Sequence, residues 1–189
     1  MKVSHFEGLN TRPDVIMLGD SLTASAEWQE VFLGVSIVNR GIDGETTFGL
    51  RGRLEEVIKR RPGGVFLMIG VNDFMVGESV ERVRDRYQEI IKRLSETGDI
   101  HVFVQSTILQ GGNVGLEKRR RVTELNRWLR EYCDRHEHAT FIDLNHVLAP
   151  EGFLSERFTL DGIHLNGDGY REWARLIEPM VRQIGSREE

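Results

Sequence analysis

The feature that most constrains this chain is a regular alternation of short apolar runs with segments of helical period. The apolar runs are rich in Val, Ile, Leu and Phe and show no polar alternation, which is typical of strands buried on both faces of a parallel sheet. Strands that alternate with helices imply right-handed crossovers and helices on both sheet faces. The five predicted strands are residues 15–19, 35–39, 64–70, 101–107 and 140–144.

Three of the intervening segments place their apolar residues on one face of a helix. Less regular helices are predicted for residues 22–32 and 46–60. We therefore predict an α/β fold, a three-layer α/β/α sandwich built around a five-stranded parallel sheet. The three apolar stripes are Val80, Val83, Tyr87, Ile90, Ile91 and Leu94 in the first helix, Val122, Leu125, Leu129 and Tyr132 in the second, and Tyr170, Trp173, Ile177, Met180, Val181 and Ile184 in the third.

Length and composition favour one domain that acts on a small molecule. The 189 residues include 39% hydrophobic residues, enough for one sizeable core, so we expect a single domain over residues 1–189. The net charge of -5, with basic residues scattered among acidic ones, argues against a nucleic-acid partner. The densest basic run, residues 118–121, begins a predicted helix and is interpreted as a solvated face.

The single cysteine and the N-terminal sequence favour a soluble cytoplasmic protein. Cys133 is alone, so no intramolecular disulfide can form, and its aromatic and leucine neighbours on a predicted helix indicate a structural role. Residues 1–12 contain no signal-peptide core, although a chain trimmed of its signal peptide would look the same, and no run reaches membrane-spanning length. A homodimer stays open, because buried and interface apolar residues look alike in sequence.

Polar residues follow the first predicted strand, at the sheet edge where open parallel sheets place their sites. The chain reads Gly19-Asp20-Ser21 and then enters a helix, so Ser21 lies near a helix N-terminus that favours a developing anion. An ordinary N-cap at Asp20 or Ser21 explains this segment equally well. A phosphate held at the same turn, or a phosphorylated Asp20, is a further alternative.

Two more strand ends carry groups that can donate hydrogen bonds. A turn after the second strand contains Gly41 and Gly44, where backbone N–H groups can approach a ligand without an intervening side chain. The third strand ends in Gly70-Val71-Asn72-Asp73, which sets the carboxamide of Asn72 at the end of a central strand. Each segment alone is also compatible with an ordinary turn or the start of a loop.

A late turn contains Asp161 and His164, three residues apart and just ahead of the last predicted helix. This spacing lets the carboxylate meet imidazole Nδ1 and leaves Nε2 free to take a proton from a serine hydroxyl. The same spacing is also compatible with a structural hydrogen bond or with half of a metal site. The other histidines lack matching spacing with carboxylates or cysteine, so we expect no zinc site.

Together these segments supply a nucleophile, a base, a group that orients the base, and oxyanion donors. In this order and spacing the chain resembles the SGNH hydrolases, also called GDSL esterases and lipases, and among them the platelet-activating-factor acetylhydrolase-like members. The resemblance implies a flavodoxin-like three-layer fold with no metal and no organic cofactor. It assigns Ser21, Asp161 and His164 to catalysis, and the backbone of Ser21, the backbone of Gly44 and the side chain of Asn72 to the oxyanion hole.

We therefore expect a serine esterase whose partner is a small-molecule ester, with short acyl groups, especially acetyl, favoured because no loop is long enough to form a large lid. The predicted pocket loops are residues 74–77, 109–116 and 147–160, and Phe74 and Met75 are either an acyl wall or core contacts. Lysophospholipase, thioesterase or acyltransferase activity on the same fold remains an alternative. So does a non-catalytic module that binds an anion at the strand ends.

Overall fold

The computed structural model describes residues 2–9, 11–96, 98–112 and 115–186 and contains the predicted five-stranded parallel sheet. The strand order is β2-β1-β3-β4-β5, the order of flavodoxin-like folds, whose sites lie at the carboxyl ends of the strands. In the register, Val15 of the first strand lies opposite Ile37 on one side and Gly64 on the other. The strands are β1 Val15–Gly19, β2 Ile37–Gly41, β3 Gly64–Met68, β4 His101–Gln105 and β5 Ala139–Ile142.

Helices connect the strands and cover both faces of the sheet. The three predicted stripes lie on the three longest helices, and the predicted amphipathic pattern is confirmed there. A 3-10 turn, Glu156–Phe158, precedes the last helix. The α-helices are α1 Lys2–Glu7, α2 Ser21–Ala24, α3 Trp28–Val31, α4 Thr47–Gly52, α5 Leu54–Ile58, α6 Val71–Met75, α7 Val80–Ser95, α8 Leu116–Cys133, α9 Asn145–Leu148 and α10 Gly167–Gly185.

Two apolar clusters, one on each face of the sheet, form the core. Alternate residues of β1 point to opposite faces: Ile16 and Leu18 join the cluster under α4, α5, α7 and α8, and Val15 and Met17 join the cluster under α2, α3, α9 and α10. This is the three-layer arrangement predicted from continuous apolar strands. Among the described residues, no helix is long and apolar enough to cross a membrane.

The second strand lies two residues later than predicted. It runs Ile37–Gly41, because Gly41 pairs with Gly19 of β1 and the strand includes a buried arginine. Arg40 is only 4% exposed, and its guanidinium donates to Glu56 at 2.9 Å. A charged residue followed by glycine reads as a turn in sequence, whereas the ion pair allows this arginine to occupy a strand.

The helix predicted for residues 22–32 is interrupted. It consists of α2 and α3, and backbone carbonyl groups at the end of α2 and in the break lack helical partners. The side-chain amide of Asn39 on β2 donates to the carbonyls of Thr23, Ala24 and Ala26 at 2.9, 3.1 and 2.9 Å. A tertiary contact therefore satisfies the groups that a continuous helix would have satisfied locally.

The helix predicted for residues 46–60 is also two helices, α4 and α5, separated at Arg53. The backbone of Arg53 leaves the helical region, with φ −116° and ψ 14°. Its side chain is only 4% exposed and turns inward to a carboxylate. Gly52, directly before Arg53, disfavours a continuous helix, and this buried contact fixes the position of the break.

The basic residues 118–121 and Cys133 both lie in α8. The basic residues 118–121 lie in its first turns, where Arg121 donates to Glu117 at 3.3 Å on the surface. Cys133 is the last residue of α8 and is buried, and burial raises the pKa of its thiol to about 12. The thiol is therefore protonated at neutral pH, which agrees with a structural role.

Candidate active site

Ser21 lies at the carboxyl end of β1, where the chain turns directly into α2. The N-cap of this helix is Asp20, whose Oδ1 accepts a hydrogen bond from the N–H of Leu22 at 3.1 Å. Because Asp20 performs the capping, the Ser21 hydroxyl is not needed for it. The capping alternative raised by the sequence therefore applies to Asp20, and Ser21 presents its side chain at the edge of the sheet.

His164 and Asp161 lie beside Ser21, although 143 residues separate Ser21 from His164. The Oγ of Ser21 is 3.4 Å from Nε2 of His164, and Nδ1 of His164 is 2.7 Å from Oδ2 of Asp161. The first distance is longer than a typical hydrogen bond, as is common in active sites without substrate. The three residues that the sequence singled out as a catalytic set thus form one connected chain.

The turn from Thr159 to His164 is fixed by its own hydrogen bonds. Oδ1 of Asp161 accepts from the backbone N–H groups of Ile163 and His164 at 2.8 and 2.7 Å. The hydroxyl of Thr159 donates to the His164 carbonyl at 2.7 Å and accepts from the Gly162 N–H at 2.9 Å. Thr159 was missed in the sequence, where nothing distinguishes it from an ordinary loop threonine.

The charge on Asp161 determines which imidazole nitrogen carries the proton. The hydrogen bond from the His164 side chain, with two backbone N–H donors in addition, lowers the pKa of Asp161. An ionised carboxylate can only accept, so Nδ1 of His164 must donate to it. In neutral His164, Nε2 is then an acceptor that faces the hydroxyl of Ser21.

The two glycines of the β2–α4 turn are distinguished by their surroundings. A Cβ on Gly41 would lie 2.3 Å from the backbone N of Ala24, so this glycine is required by the packing of α2 against β2. Gly44 has φ +72° and open space around its missing side chain. Its positive φ favours glycine, and its N–H has no acceptor among the described residues, whereas the N–H of Gly41 donates to Oδ1 of Asn39 at 2.9 Å. These features favour Gly44 over Gly41 as the donor.

Asn72 lies in the first turn of α6, directly after the central strand β3. Its Nδ2 donates to the carbonyl of Glu45 at 2.9 Å, which ties it to the residue that follows Gly44. In the part of the chain that the structure describes, the N–H groups of Ser21 and Gly44 have no protein acceptor. These groups are therefore available to a ligand, and Asn72 retains a second amide hydrogen.

The segment 74–77, predicted as a pocket loop, is partly helical, because α6 extends through Met75. Phe74 is 3% exposed and belongs to the core cluster under α7 and α8, so it is a core contact and does not form an acyl wall. Met75 is 48% exposed. The sequence could not distinguish these two side chains, because a one-turn helix has too few residues to show a period.

The other two predicted loops border a cavity of about 480 Å³. Gly111 and Gly112 line it on one side, and Phe153 and the turn that contains Asp161 line the other. The N–H of Gly111 donates to the Gly162 carbonyl at 2.7 Å and so joins the loop to the turn that contains Asp161 and His164. Residues 113–114 of the predicted loop 109–116 lie outside the described residues.

A second carboxylate network joins the two halves of the proposed oxyanion hole. Asp73, fully buried beside Asn72, accepts from the N–H of Thr47 at 2.9 Å and from its hydroxyl at 2.5 Å. Arg86 of α7 donates to the same carboxylate at 3.2 Å. This contact between α4 and α6 was missed in the sequence, where residues 47 and 73 are 26 apart and carry no shared pattern.

Asp20 is a buried carboxyl group immediately before Ser21. Desolvation by burial, with a smaller effect from the charge of Glu45, raises its pKa to about 7, while the Leu22 N–H and the charge of His164 act in the opposite direction. Its Oδ2 has no partner among the described residues. The group is therefore partly protonated near neutral pH.

The raised pKa of Asp20 predicts a pH-dependent stability. The folded state binds the Asp20 proton up to about pH 7, whereas the unfolded chain releases it near 3.8, so wild-type stability should fall as pH rises between these values. Asp20→Asn removes this titration and retains an N-cap acceptor. The difference in unfolding free energy between variant and wild type should shift in favour of the variant by on the order of 4 kcal/mol from pH 4 to pH 8.

Urea unfolding at several pH values measures this difference. Asp168→Asn, on the exposed first turn of α10, is the matched control and should leave the pH dependence unchanged. Parallel stability curves for wild type and Asp20→Asn would show that Asp20 does not titrate in the folded protein in this range.

Metal binding has no obvious place in the described structure. Among the described residues, no three His, Cys, Asp or Glu side chains gather as a candidate ligand set. The groups that meet at Ser21 are a hydroxyl, an imidazole and a carboxylate, with backbone and amide donors nearby. This donor set is suited to nucleophilic attack at a carbonyl and stabilisation of the resulting oxyanion.

Known proteins are similar to this chain in sequence and in fold. The model of the GDSL-like Lipase/Acylhydrolase family matches residues 17–172. The alpha1 subunit of platelet-activating factor acetylhydrolase IB from Bos taurus is 28% identical over 187 residues, which cover 94% of this chain and 78% of that protein. A solved structure from Streptococcus pneumonia, described by reference to platelet activating factor, has a TM-score of 0.86 at 22% identity and covers 95% of this chain and 89% of that one.

A second curated relative is larger than this chain. N-acylneuraminate cytidylyltransferase from Streptococcus agalactiae serotype V is 28% identical over 174 residues, 86% of this chain. The chain spans only 38% of the length of that protein. The similarity to this cytidylyltransferase therefore concerns one part of the larger protein. The similarity to the Streptococcus pneumonia structure shows that the two chains share a fold.

Proposed function

The chain belongs to the GDSL-like lipase/acylhydrolase family, and from this membership we propose that it is a serine esterase that hydrolyses small carboxylic esters with short acyl groups, acetyl above all. The observation that carries the proposal is the chain of contacts from Asp161 through His164 to Ser21. A nucleophile, a base and a group that orients the base are the elements that acyl transfer requires.

The proposed reaction begins with a proton transfer. Nε2 of His164 takes the hydroxyl proton of Ser21 as Oγ forms a bond to the ester carbonyl carbon, and the carbonyl oxygen becomes an oxyanion. The C–O bond to the alcohol then breaks, and His164 returns the proton to the leaving oxygen. Water repeats the sequence on the acyl-enzyme and releases the carboxylic acid. Throughout, Asp161 remains ionised and stabilises the imidazolium.

Three donors would hold the oxyanion: the N–H of Ser21, the N–H of Gly44 and the second amide hydrogen of Asn72. The first two lack protein acceptors in the described structure, and the third is oriented by the hydrogen bond of Asn72 to Glu45. Donors that are already oriented do not have to reorganise as charge develops, and such electrostatic stabilisation supplies much of the rate enhancement in many enzymes.

The cavity beside the catalytic turn supports a short acyl group and a polar alcohol. Its lining includes three glycines, Thr159 and the acidic residues Glu156 and Asp161, beside three apolar residues, Phe153, Leu154 and Leu160. A long alkyl chain would displace water from the exposed carboxylate of Glu156, which is costly. Small polar esters avoid this cost.

The test is hydrolysis of p-nitrophenyl acetate, butyrate, octanoate and palmitate by wild type, by Ser21→Ala and by Ser186→Ala, a control hydroxyl at the end of α10. We expect turnover by wild type and Ser186→Ala, with kcat/KM highest for the two short esters, and none above background by Ser21→Ala. A serine-directed phosphonate should label the same two proteins once each.

Each failure has a distinct meaning. Highest kcat/KM for palmitate would contradict the short-acyl preference. Labelling of Ser21 without ester turnover would move the substrate to thioesters, and ester formation with added alcohols in place of hydrolysis would indicate an acyltransferase. Absence of both labelling and turnover would contradict the enzyme proposal and favour an anion-binding module.

A further inference from the structure

A buried ion pair lies behind the turn that carries Gly44. Arg53 and Glu45 are 4% and 9% exposed, and Nε of Arg53 donates to both carboxylate oxygens of Glu45 at 2.8 and 3.1 Å. Nη2 of Arg53 also contacts Oε2 of Glu45. Desolvation offsets much of the attraction in such a pair, so stability alone is a weak reason for its presence. The pair also fixes the position of the turn that carries Gly44.

Glu45 is linked to two of the three proposed oxyanion donors. Its backbone follows Gly44 directly, and its carbonyl accepts the hydrogen bond from Asn72 at 2.9 Å. Gly44 itself is exposed, with nothing packed against its Cα where a side chain would project. The turn is therefore not fixed by packing at Gly44, and the side chain of Glu45 provides its nearest buried anchor.

Arg53, which lies between α4 and α5, binds the side chain of Glu45. Besides Glu45, its Nη2 donates to the carbonyl of Arg40 on β2 at 2.7 Å. The guanidinium of Arg53 therefore contacts β2, which leads into the turn, and Glu45, which follows Gly44. Because the guanidinium is planar and donates from a fixed fork, it defines the distance between these two points more closely than a lysine would.

Arg53 also neutralises a charge near the nucleophile. Burial foremost, with the charge of Glu45 in addition, raises the pKa of Asp20, so the Glu45 carboxylate acts electrostatically at the residue before Ser21. Without Arg53, this negative charge would remain buried near the place where the oxyanion forms. Like charges repel strongly in such a partly dry site.

We propose that Arg53 is a positioning residue for the oxyanion hole, which acts through Glu45 to hold the Gly44 N–H and the Asn72 amide in register. The inference rests on the proposed esterase function. It assigns no contact with substrate to Arg53. Its predicted signature is a loss of kcat with little change in KM, because the oxyanion exists only in the transition state and the intermediates.

The experiment measures p-nitrophenyl acetate kinetics for Arg53→Gln, Arg53→Lys, Asn72→Ala and the combination of Arg53→Gln with Asn72→Ala. Asn72→Ala should lower kcat by about 10²–10³-fold, as for other oxyanion donors. Arg53→Gln should lower kcat by on the order of 10–100-fold, since small misplacements of catalytic groups have effects of this size. Its effect should be smaller in the Asn72→Ala background, and Arg53→Lys should recover part of kcat.

Arg60→Gln is the matched control. Arg60 is 3% exposed and donates to Glu56 at 2.6 Å, so its loss also breaks a buried ion pair, but its other contacts lie in the N-terminal segment, at the carbonyls of Phe6, Leu9 and Thr11. It should destabilise the fold without changing kcat of the remaining folded protein. Equal losses of kcat in Arg53→Gln and Arg60→Gln would overturn the positioning role.

The remaining outcomes are also decisive. If Arg53→Gln does not fold, Arg53→Lys decides: lowered kcat at constant KM supports the role, and unchanged kcat overturns it. Turnover that depends on Ser21 but is unaffected by either Arg53 variant would overturn the role of Arg53 alone. Turnover that persists in Ser21→Ala would overturn the proposed function and the inference together.

Discussion

Replacing Ser21 and His164 together by alanine should slow ester hydrolysis no more than replacing Ser21 alone. Once the nucleophile is absent, His164 has no hydroxyl proton to accept, because its Nε2 faces Oγ of Ser21. Each single variant should lose roughly 10⁴–10⁶-fold in kcat, and the two losses should not add. Steady-state kinetics with p-nitrophenyl acetate on all three variants measure this.

The control is His146→Ala, an exposed histidine on α9 outside the site, which should leave kcat unchanged alone and in combination with Ser21→Ala. Thermal unfolding should show that all variants are folded. If the double variant were slower than Ser21→Ala by the full factor seen for His164→Ala, the two residues would act in separate steps, and the proposed proton transfer between them would be wrong.

The inner strands β1 and β3 could be predicted from sequence because all five residues of each are buried. Such strands must be apolar throughout, and β1 coincides with its prediction. The second strand differs: β2 ends in Arg40 and Gly41, and a buried arginine becomes acceptable in a strand only after Glu56, 16 residues later, has supplied a countercharge. No local pattern contains that information.

The broken helices have the same explanation. The residues of α2 and α3 favour a longer helix, but Asn39 on a neighbouring strand binds two carbonyls at the end of α2 and the carbonyl of Ala26 in the break. The break between α4 and α5 comes directly after Gly52, which disfavours a helix, and the side chain of Arg53 turns inward there. At the first break the tertiary contact outweighs local propensity, since propensity differences among ordinary residues amount to less than about 1 kcal/mol per residue, and at the second the glycine and the tertiary contact act together.

The candidate site was predictable to the extent that its groups follow strand ends or lie in a short motif. Ser21, Asn72 and the Asp161–His164 turn satisfy this condition. Thr159, the Thr47–Asp73 contact and the Glu45–Arg53 pair do not, because their partners meet only in the folded chain. The chemical groups of the site are thus visible in sequence, and the contacts that orient them are not.

Asp161→Asn should lower kcat by on the order of 10²–10⁴-fold while leaving the protein folded. The carboxylate accepts from Nδ1 of His164 at 2.7 Å and so keeps Nε2 unprotonated toward Ser21. An asparagine can present its NH₂ group to Nδ1, which favours the opposite tautomer with the proton on Nε2. Asp161 is half exposed, so water can replace part of its electrostatic effect, and the loss should be smaller than that for Ser21→Ala.

Asp168→Asn, the same substitution seven residues later on the surface of α10, is the kinetic control and should retain wild-type kcat. The hydrogen bond from His164 lowers the pKa of Asp161 below 3.8, the value in the unfolded chain. The carboxylate is therefore ionised at neutral pH, and its protonation should not affect the pH profile of kcat there. Nitrogen-15 NMR of the imidazole reports the tautomer directly. Reduced kcat with the wild-type tautomer retained would show that Asp161 acts only through charge, and an unchanged kcat would remove it from the catalytic set.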